Sequence, residues 1–317
     1  MNKAGMKWLA MVAVLLAGPA WAEDALKVAI GQRGNWENAV TELGQDAGFF
    51  KKHGLVLDIL YTEGGGQTQQ AVISGSVDIG IGVGSYGVLG AFSKGAPVRV
   101  IGNSMLGARD LYWYVRADSA VKGMKDAGGK SVAFSTTGSS TDLVVRGFQR
   151  VFGVTLDRVA TGSPPSTFTQ VMSGQVDVGW ASPPFGVVAA EAGRTRIVAR
   201  GSDVPGLEHQ SVRVMIANAR ALTAKADAMG RYMAAYREAL DWMYSDPAAL
   251  VAYGTWAGVT PELAGHVRDE FYPKTNMDPA RVEGLEQLMA DAVTFKFLTA
   301  PMGVEQLGKL VAPPPAQ

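Results

Sequence analysis

The segment Ala71 to Gly87, AVISGSVDIGIGVGSYG, returns as QVMSGQVDVGWASPPFG from Gln170 to Gly186, position for position and without a gap. Val72 falls on Val171, Ser74 on Ser173, Gly75 on Gly174, Asp78 on Asp177 and Gly80 on Gly179. Each copy reads as the end of a helix, a glycine free to take the left-handed conformation that closes it, and a short apolar strand. Glycine, serine, proline and an aromatic follow each strand, the composition of a pocket-lining loop. Such a repeat predicts two similar lobes with a cleft between them.

The surrounding chain supports duplication. Leu26 to Ile30 alternates as a strand, Gly31 to Asn38 is a loop, and a helix over about Ala39 to Lys52 stops at Gly54. A strand at Leu55 to Tyr61 gives way to Glu63 to Gln67 and then to the first motif. This alternation builds a parallel sheet with right-handed crossovers. Val98 to Ile101 continues it, and Leu111 to Val115 reads as a strand of different character. The order then repeats. Lys130 to Phe134 is a strand, Ser135 to Thr141 a hydroxyl-rich turn, Asp142 to Phe152 a helix closed by Gly153, and Arg196 to Ala199 a strand after the second motif. Val212 to Ala217 is positioned to lead the chain back to the first lobe, and the remainder is helical. Ala226, Met229, Met233, Tyr236, Leu240 and Met243 share one helical face. Asp246-Pro247, Thr260-Pro261 and Asp278-Pro279 each place a capping side chain before a first-turn proline, so three helices are expected to begin there. The tail from Pro313 to Gln317 reads as unstructured.

A chain of 317 residues, 47% of them apolar, is long enough for two cores. Its 29 basic and 29 acidic residues form no basic run, which argues against a nucleic-acid or anionic-membrane partner. Lys3 and Lys7, the apolar run Trp8 to Ala17 and the small-x-small site Ala20-Trp21-Ala22 read as a signal peptide over residues 1–22, cleaved after Ala22. The apolar run is too short to cross a bilayer. With no cysteine, disulfides, thiolate metal sites and cysteine nucleophiles are excluded. A soluble periplasmic protein is expected.

Together with the signal and both SGxVDxG copies, the phrases AGFFKKHGL at Ala47 to Leu55 and SKGAPVRVIG at Ser93 to Gly102 resemble periplasmic ABC-transporter substrate-binding proteins of the nitrate/sulfonate/taurine type. The resemblance implies an α/β fold of two lobes, type II-like, with parallel or mixed sheets, two crossing strands and a helical C-terminus. It places lobe one at 23–108 plus 212–317 and lobe two at 109–211, with crossings near Arg109 and near Gln210 to Val214. It further implies a monomeric receptor, not an enzyme, with no cofactor, that closes over a solute and delivers it to an inner-membrane ABC permease.

Ligands of open parallel sheets sit beyond the carboxyl ends of strands, near helix N-termini. Asn35 and Trp36, Gly65 and Gln67, Ser85 and Tyr86, Trp180 and Pro183 come from four such loops. Thr136, Thr137, Gly138, Ser139 and Ser140 precede a helix whose first turn would suit a carboxylate or sulfonate. The competing reading of those hydroxyls is ordinary capping. Trp36, Tyr86 and Trp180 are expected to form an aromatic wall around an organic ligand, against the alternative that each packs in a core. Asp78 and Asp177 occupy the same place in each repeat, so they are read as structural acceptors of backbone amides. Arg109 is either a ligand guanidinium or, beside Asp110, part of a hinge-bracing pair. His53, His209 and His266 lack metal-ligand spacing. Gly82 to Gly87 matches G-x-G-x-x-G, but Asn103 stands where a dinucleotide site needs a carboxylate.

The expected ligand is a small organic anion. The alternatives are a neutral or cationic solute, such as a pyrimidine-type vitamin precursor, and an enzyme on the same fold. The pyrimidine synthases of thiamine biosynthesis resemble this branch but use a cysteine-rich motif that this chain lacks.

Overall fold

The computed structural model describes residues 23–315, so the segment read as an export signal lies outside the described residues. The first part of the chain runs β1 (Asp24–Ile30), α1 (Trp36–Asp46), α2 (Phe49–Lys52), β2 (Leu55–Tyr61), α3 (Gly65–Ser74), β3 (Ile79–Gly84), α4 (Ser85–Ser93) and β4 (Val98–Leu106). The second part runs β5 (Tyr112–Arg116), β6 (Ser131–Phe134), α5 (Ser140–Phe152), β7 (Asp157–Ala160), α6 (Pro164–Met172), β8 (Gly179–Ala181), α7 (Val187–Glu191) and β9 (Thr195–Arg200). The chain ends with β10 (Ser211–Asn218), α8 (Ala219–Ala224), α9 (Ala226–Ser245), α10 (Pro247–Ala257), α11 (Pro261–Phe271), α12 (Leu285–Thr294) and α13 (Val304–Leu310).

The duplication is visible in the strand order. The first sheet is β2-β1-β3-β10-β4, parallel except for β10, which lies antiparallel between β3 and β4. The second half pairs β6 with β7 in parallel and sets β5 antiparallel between β8 and β9. A parallel bridge from Val132 to Val178 joins these two groups. The order is thus the same in both halves, with β5 and β10 as exchanged strands: each enters the sheet opposite to the one the chain has just left. All eight residues of β10 are buried, as expected of a strand covered on both faces.

Local chemistry accounts for most boundaries. Gly75 and Gly174 close the helices of the two motif copies at φ 77° and 78°, the left-handed region that glycine enters without cost. Asp78 accepts from the amide of Lys27 at 2.9 Å and pairs with Lys225 at 2.8 Å. Asp177 accepts from the amide of Ser131 at 2.9 Å and from its hydroxyl at 2.8 Å. Burial opposes ionisation of Asp177, but the Ser131 donors and Lys130 outweigh it and hold its carboxyl below the ordinary value. The two aspartates are structural, as expected, and the amide each serves belongs to the neighbouring strand rather than to its own turn.

Two expected elements differ. The helix expected over residues 39–52 is broken at Gly48, φ 87°, into α1 and α2. Asp246 and Thr260 cap α10 and α11 through the amides of Ala248 and Leu263, but no helix begins at Pro279. Asp278 does accept from Ala280 at 2.9 Å. The backbone beyond it is committed elsewhere: Pro279 O accepts from the amide of Asn103 and Glu283 O from the amide of Ser211, both at 3.0 Å. Residues 279–283 therefore form a turn and a strap, neither helix nor strand, held against the sheet. At the carboxyl end Val311 bridges Val100 in parallel, and residues 312–315 carry no helix or strand.

One apolar core lies under α1, α2 and α9 to α11, where Met229, Met233, Tyr236, Leu240 and Met243 of α9 are buried. The other runs continuously from Tyr86, Val88 and Leu89 of α4, through Leu288 of α12, to Val144 and Phe148 of α5 in the second half.

The side chain of Asp78 is 13% exposed and that of Asp177 43% exposed. Asp78→Ala is expected to cost about 1–2 kcal/mol and Asp177→Ala less, since water replaces the lost acceptor more easily there. Urea unfolding at an unchanged m-value is the measurement, and the reverse ranking would contradict this division.

Candidate functional site

The segments following β1, β2, β6 and β8 meet at a polar cavity of about 20 Å³ between the halves, room for about one water molecule. Asn35, Gly65, Ser139, Ser140 and Trp180 line it, together with Gln32, Glu37, Asn38 and Arg213. At its centre Arg213 of β10 places Nη2 2.6 Å from Asp110 Oδ1 and 3.0 Å from Glu37 Oε2. All three side chains are buried. The cluster ties the first turn of α1 and the Asp110 crossing to β10.

Its electrostatics follow from burial. Burial raises the Glu37 carboxyl to about 7, with the attraction of Arg213 partly offsetting this and repulsion by Asp110 adding to it. Burial alone would lower the Arg213 pKa, but Asp110 and Glu37 raise it, so the guanidinium stays charged. Arg213 and Asp110 therefore balance, and Glu37 sets whether the cavity is neutral or carries a net negative charge.

The hydrogen-bonding inventory is lopsided. Asn35 Oδ1, both Glu37 carboxylate oxygens, Asn38 Oδ1 and Asp110 Oδ2 are buried acceptors with no hydrogen-bond partner. The Glu37 contact with Arg213 is an ion pair without hydrogen-bond alignment. Asn38 is fixed in orientation because its Nδ2 donates to Gly31 O at 3.3 Å and Gln32 O at 3.0 Å. Trp180 Nε1 and Arg213 Nε are unpartnered donors at the cavity, and the unpartnered Tyr236 hydroxyl lies within electrostatic reach of Glu37. Unmet acceptors thus outnumber unmet donors, and a group that donates hydrogen bonds is what the site lacks. Gln32 holds φ 113°, a conformation unusual for a side-chain-bearing residue and one that clusters at functional sites.

Several expected contacts are not at the cavity. Trp36 turns away into the helical core, edge-to-face on Tyr253 at 4.7 Å and Tyr244 at 5.8 Å. Tyr86 is buried and its hydroxyl donates to Gln210 Oε1 at 2.6 Å. Of the expected aromatic wall only Trp180 faces the site. Ser85 Oγ donates to Ser211 O, Gln67 is exposed and its Oε1 accepts from the Glu63 amide at 3.1 Å, and Pro183 O accepts from the Tyr272 hydroxyl at 3.0 Å.

The hydroxyl-rich turn is spoken for internally. Ser139 Oγ caps the Asp142 amide, Thr141 Oγ1 accepts from the Ser135 amide at 2.8 Å, and buried Asp142 accepts from the Gly138 amide at 3.1 Å. Asp142, itself held by Arg146 and Arg158, supplies the negative charge at this helix N-terminus. Thr137 is exposed and Thr136 Oγ1 accepts from the Gly66 amide across the cleft at 2.9 Å. Arg109 is exposed and lines a separate 780 Å³ groove beside the crossings, while its neighbour Asp110 pairs with Arg213.

Backbone contact closes the cleft. A Cβ on Gly84 would lie 2.3 Å from Gly138 O, and one on Gly66 2.8 Å from Thr137 O, so both positions require glycine. Ser163 donates its amide to Glu63 Oε2 at 3.2 Å, a further link between the halves.

Glu37 and Arg213 were not expected from sequence, and Asp110 was expected only as the partner of Arg109, whereas it pairs with Arg213. The available signal was a single charge inside the otherwise uncharged strand SVRVMIAN; its two partners lie far away in the chain.

The sequence profile of the NMT1/THI5-like family matches residues 37–250. No curated protein sequence matches the chain. Among solved structures, the periplasmic aliphatic sulphonate binding protein SsuA of Escherichia coli aligns at TM-score 0.69 and 19% identity, covering 92% of this chain and 93% of that one. The alkanesulfonate-binding protein SsuA of Xanthomonas axonopodis pv. citri, bound to MOPS, aligns at TM-score 0.70 and 20% identity, covering 91% and 98%. The periplasmic nitrate-binding protein NrtA of Synechocystis PCC 6803 aligns at TM-score 0.68 and 12% identity, covering 90% and 84%. At these identities the likeness establishes a shared fold, that of periplasmic binding proteins.

Well below pH 4.5 Glu37 is protonated whether the chain is folded or unfolded, so it imposes no pH dependence there. As pH rises from that point through about 7, the unfolded carboxyl loses its proton while the buried one resists, and stability is lost. Glu37→Gln is expected to flatten this part of the stability–pH curve in thermal melts. Parallel wild-type and variant curves would contradict the assignment.

Proposed function

The chain belongs to the NMT1/THI5-like family, and on that footing we propose that it is the solute-capturing component of an ABC importer. Its ligand is a small polar organic molecule that is neutral or positively charged and rich in hydrogen-bond donors. The excess of unpartnered acceptors around Glu37 carries this reading. An anion would enter a cavity whose one guanidinium is already matched by Asp110 and whose remaining titratable group is a carboxyl. The organic anion expected from sequence drew on the hydroxyl turn at residues 135–141, and the backbone amides of Ser135, Gly138 and Asp142 in that turn already donate to Thr141 Oγ1, Asp142 Oδ2 and Ser139 Oγ. An amine, amidine or amino-heterocycle, the class to which a pyrimidine-type precursor belongs, matches the residues better.

In this reading the two halves, 23–108 with 212–317 and 109–211, separate about the crossings to admit solute and close to bury it. The closed form presents the surface on which a membrane permease docks. Export through a cleaved signal places the monomeric receptor in the periplasm, and SsuA and NrtA, named as periplasmic proteins, share its fold. The roles of Asn35, Gly65, Ser139, Ser140 and Trp180 are ligand contact from four loops, with Glu37 as the charged acceptor.

A thermal-shift panel of the mature protein tests the class directly. Amines, amidines or amino-heterocycles are expected to raise Tm, and alkanesulfonates, carboxylates and nitrate are not. Glu37→Gln should weaken a cationic hit by about 1.5–3 kcal/mol, some ten- to hundredfold in Kd, since a charge-assisted hydrogen bond is lost. Stabilisation by sulfonates alone would overturn the ligand class, and turnover of a hit would move the reading to an enzyme.

A further inference from the structure

We propose that the apolar pocket between α6 and α7 is a second ligand site, separate from the cleft, that takes a small aromatic anion such as an aryl carboxylate. The pocket has a volume of about 390 Å³ and its walls include Tyr114, Pro165, Phe168, Ala181, Phe185 and Ala189. That volume and apolar lining are those of a small-molecule site. It lies on the far side of β8 from the cleft cavity: Ala181 faces it, whereas Trp180 and Ser182 face the cavity.

The internal repeat indicates what fits. In the gapless alignment Tyr86 and Gly90 of α4 correspond to Phe185 and Ala189 around α7. In the first half this face is covered by Phe297, whose ring centroid lies 6.1 Å from that of Tyr86 and whose Cβ is 3.6 Å from where a Cβ on Gly90 would stand. The guanidinium of Arg146 stands 4.9 Å from the centre of the Phe297 ring. A ring under a guanidinium therefore fills the first seat, a geometry favoured by the charge distribution of the ring.

In the second half no such segment among the described residues lies over the corresponding face of the five-residue helix α7; Val188 is 65% exposed and the pocket is open. A guanidinium is present here too. Arg194 lines the pocket with its Cζ 5.3 Å from the centre of the Phe168 ring, and no ion pair engages it among the described residues. The lining contains no carboxylate. An aromatic ring with one negative substituent satisfies the apolar walls and the unmatched cation together. Phe185 also packs over Gly34 of the first half, so an occupant resting on its ring touches a residue that takes part in closure.

The test is a ¹⁵N–¹H NMR titration of the mature protein with 2-naphthoate, with 2-naphthylmethanol as the uncharged probe. Saturable shifts are expected at the amides of Val188, Ala189 and Ala192. Ala192→Trp, at an exposed rim position, should abolish them. Arg194→Gln should weaken 2-naphthoate about tenfold and leave 2-naphthylmethanol unchanged. Shifts absent up to about 10 mM, surviving Ala192→Trp, or centred on Trp180 and Ser182 would overturn the site. Equal loss of both probes in Arg194→Gln would overturn the anionic class.

Discussion

One guanidinium is withdrawn from water at the centre of this molecule, and three separate parts of the chain are arranged to make that tolerable. Arg213 sits on an exchanged strand, Asp110 on the crossing that precedes the other exchanged strand, and Glu37 on the first turn of the first helix. Removing a charge from water costs several kcal/mol per ion even after relaxation, and an ion pair recovers this only with close partners. Asp110 at 2.6 Å is such a partner; Glu37, held off hydrogen-bond alignment, is not fully used. The cluster thereby fixes where the crossings lie and leaves one carboxyl whose charge remains open to influence by what binds beside it. Under the proposed function, a structural ion pair and a recognition group are made from the same three residues.

The second constraint is steric. The halves approach through backbone, with Gly84 and Gly66 against the turn at 136–138, and the Gly66 amide donates across the cleft to Thr136 Oγ1 of that turn. Glycine contacts of this kind allow a tight fit at low attractive energy, which suits the parting and meeting of the halves proposed above. The link through α12 is different in kind, with Arg150 paired to Asp291 at 3.2 Å and stacked over Phe295 at 5.3 Å. The repeat shows the same economy: its shared positions hold turns and strands, while the residues just beyond each strand diverge, giving Ser85 and Tyr86 a packing role in one half and leaving Trp180 at the cavity in the other.

What could be read in the sequence was chemistry that acts over a few residues. The glycines that end helices, the proline caps of α10 and α11, and the matched aspartates depend on neighbours close in the chain or on strands the repeat itself identifies. The site was less legible because its central residues meet only through the fold: nothing near Glu37 announces Asp110 or Arg213. Trp36 and Tyr86 misled for a related reason, since an aromatic at a helix start gives no sign of which way its ring turns, and each found a core. The hydroxyl turn at 135–141 looked open to a ligand because the claim of the Gly66 amide on Thr136 Oγ1, and the pairing of Asp142 with Arg158, are tertiary facts. Asp278-Pro279 carries the signal of a helix start, yet its backbone is claimed by β4 and β10.

The closeness of Gly84 to Gly138 secures the burial of the Arg213 cluster, and both depend on the halves meeting. The chain has no cysteine, so spin labels at Asp58→Cys and Lys125→Cys, exposed positions on opposite halves, report the separation cleanly by pulsed dipolar spectroscopy. The parent protein should show a short-distance population that Gly84→Ala removes, because a Cβ 2.3 Å from Gly138 O cannot be accommodated without parting the halves. Identical distance distributions with and without Gly84→Ala would contradict it.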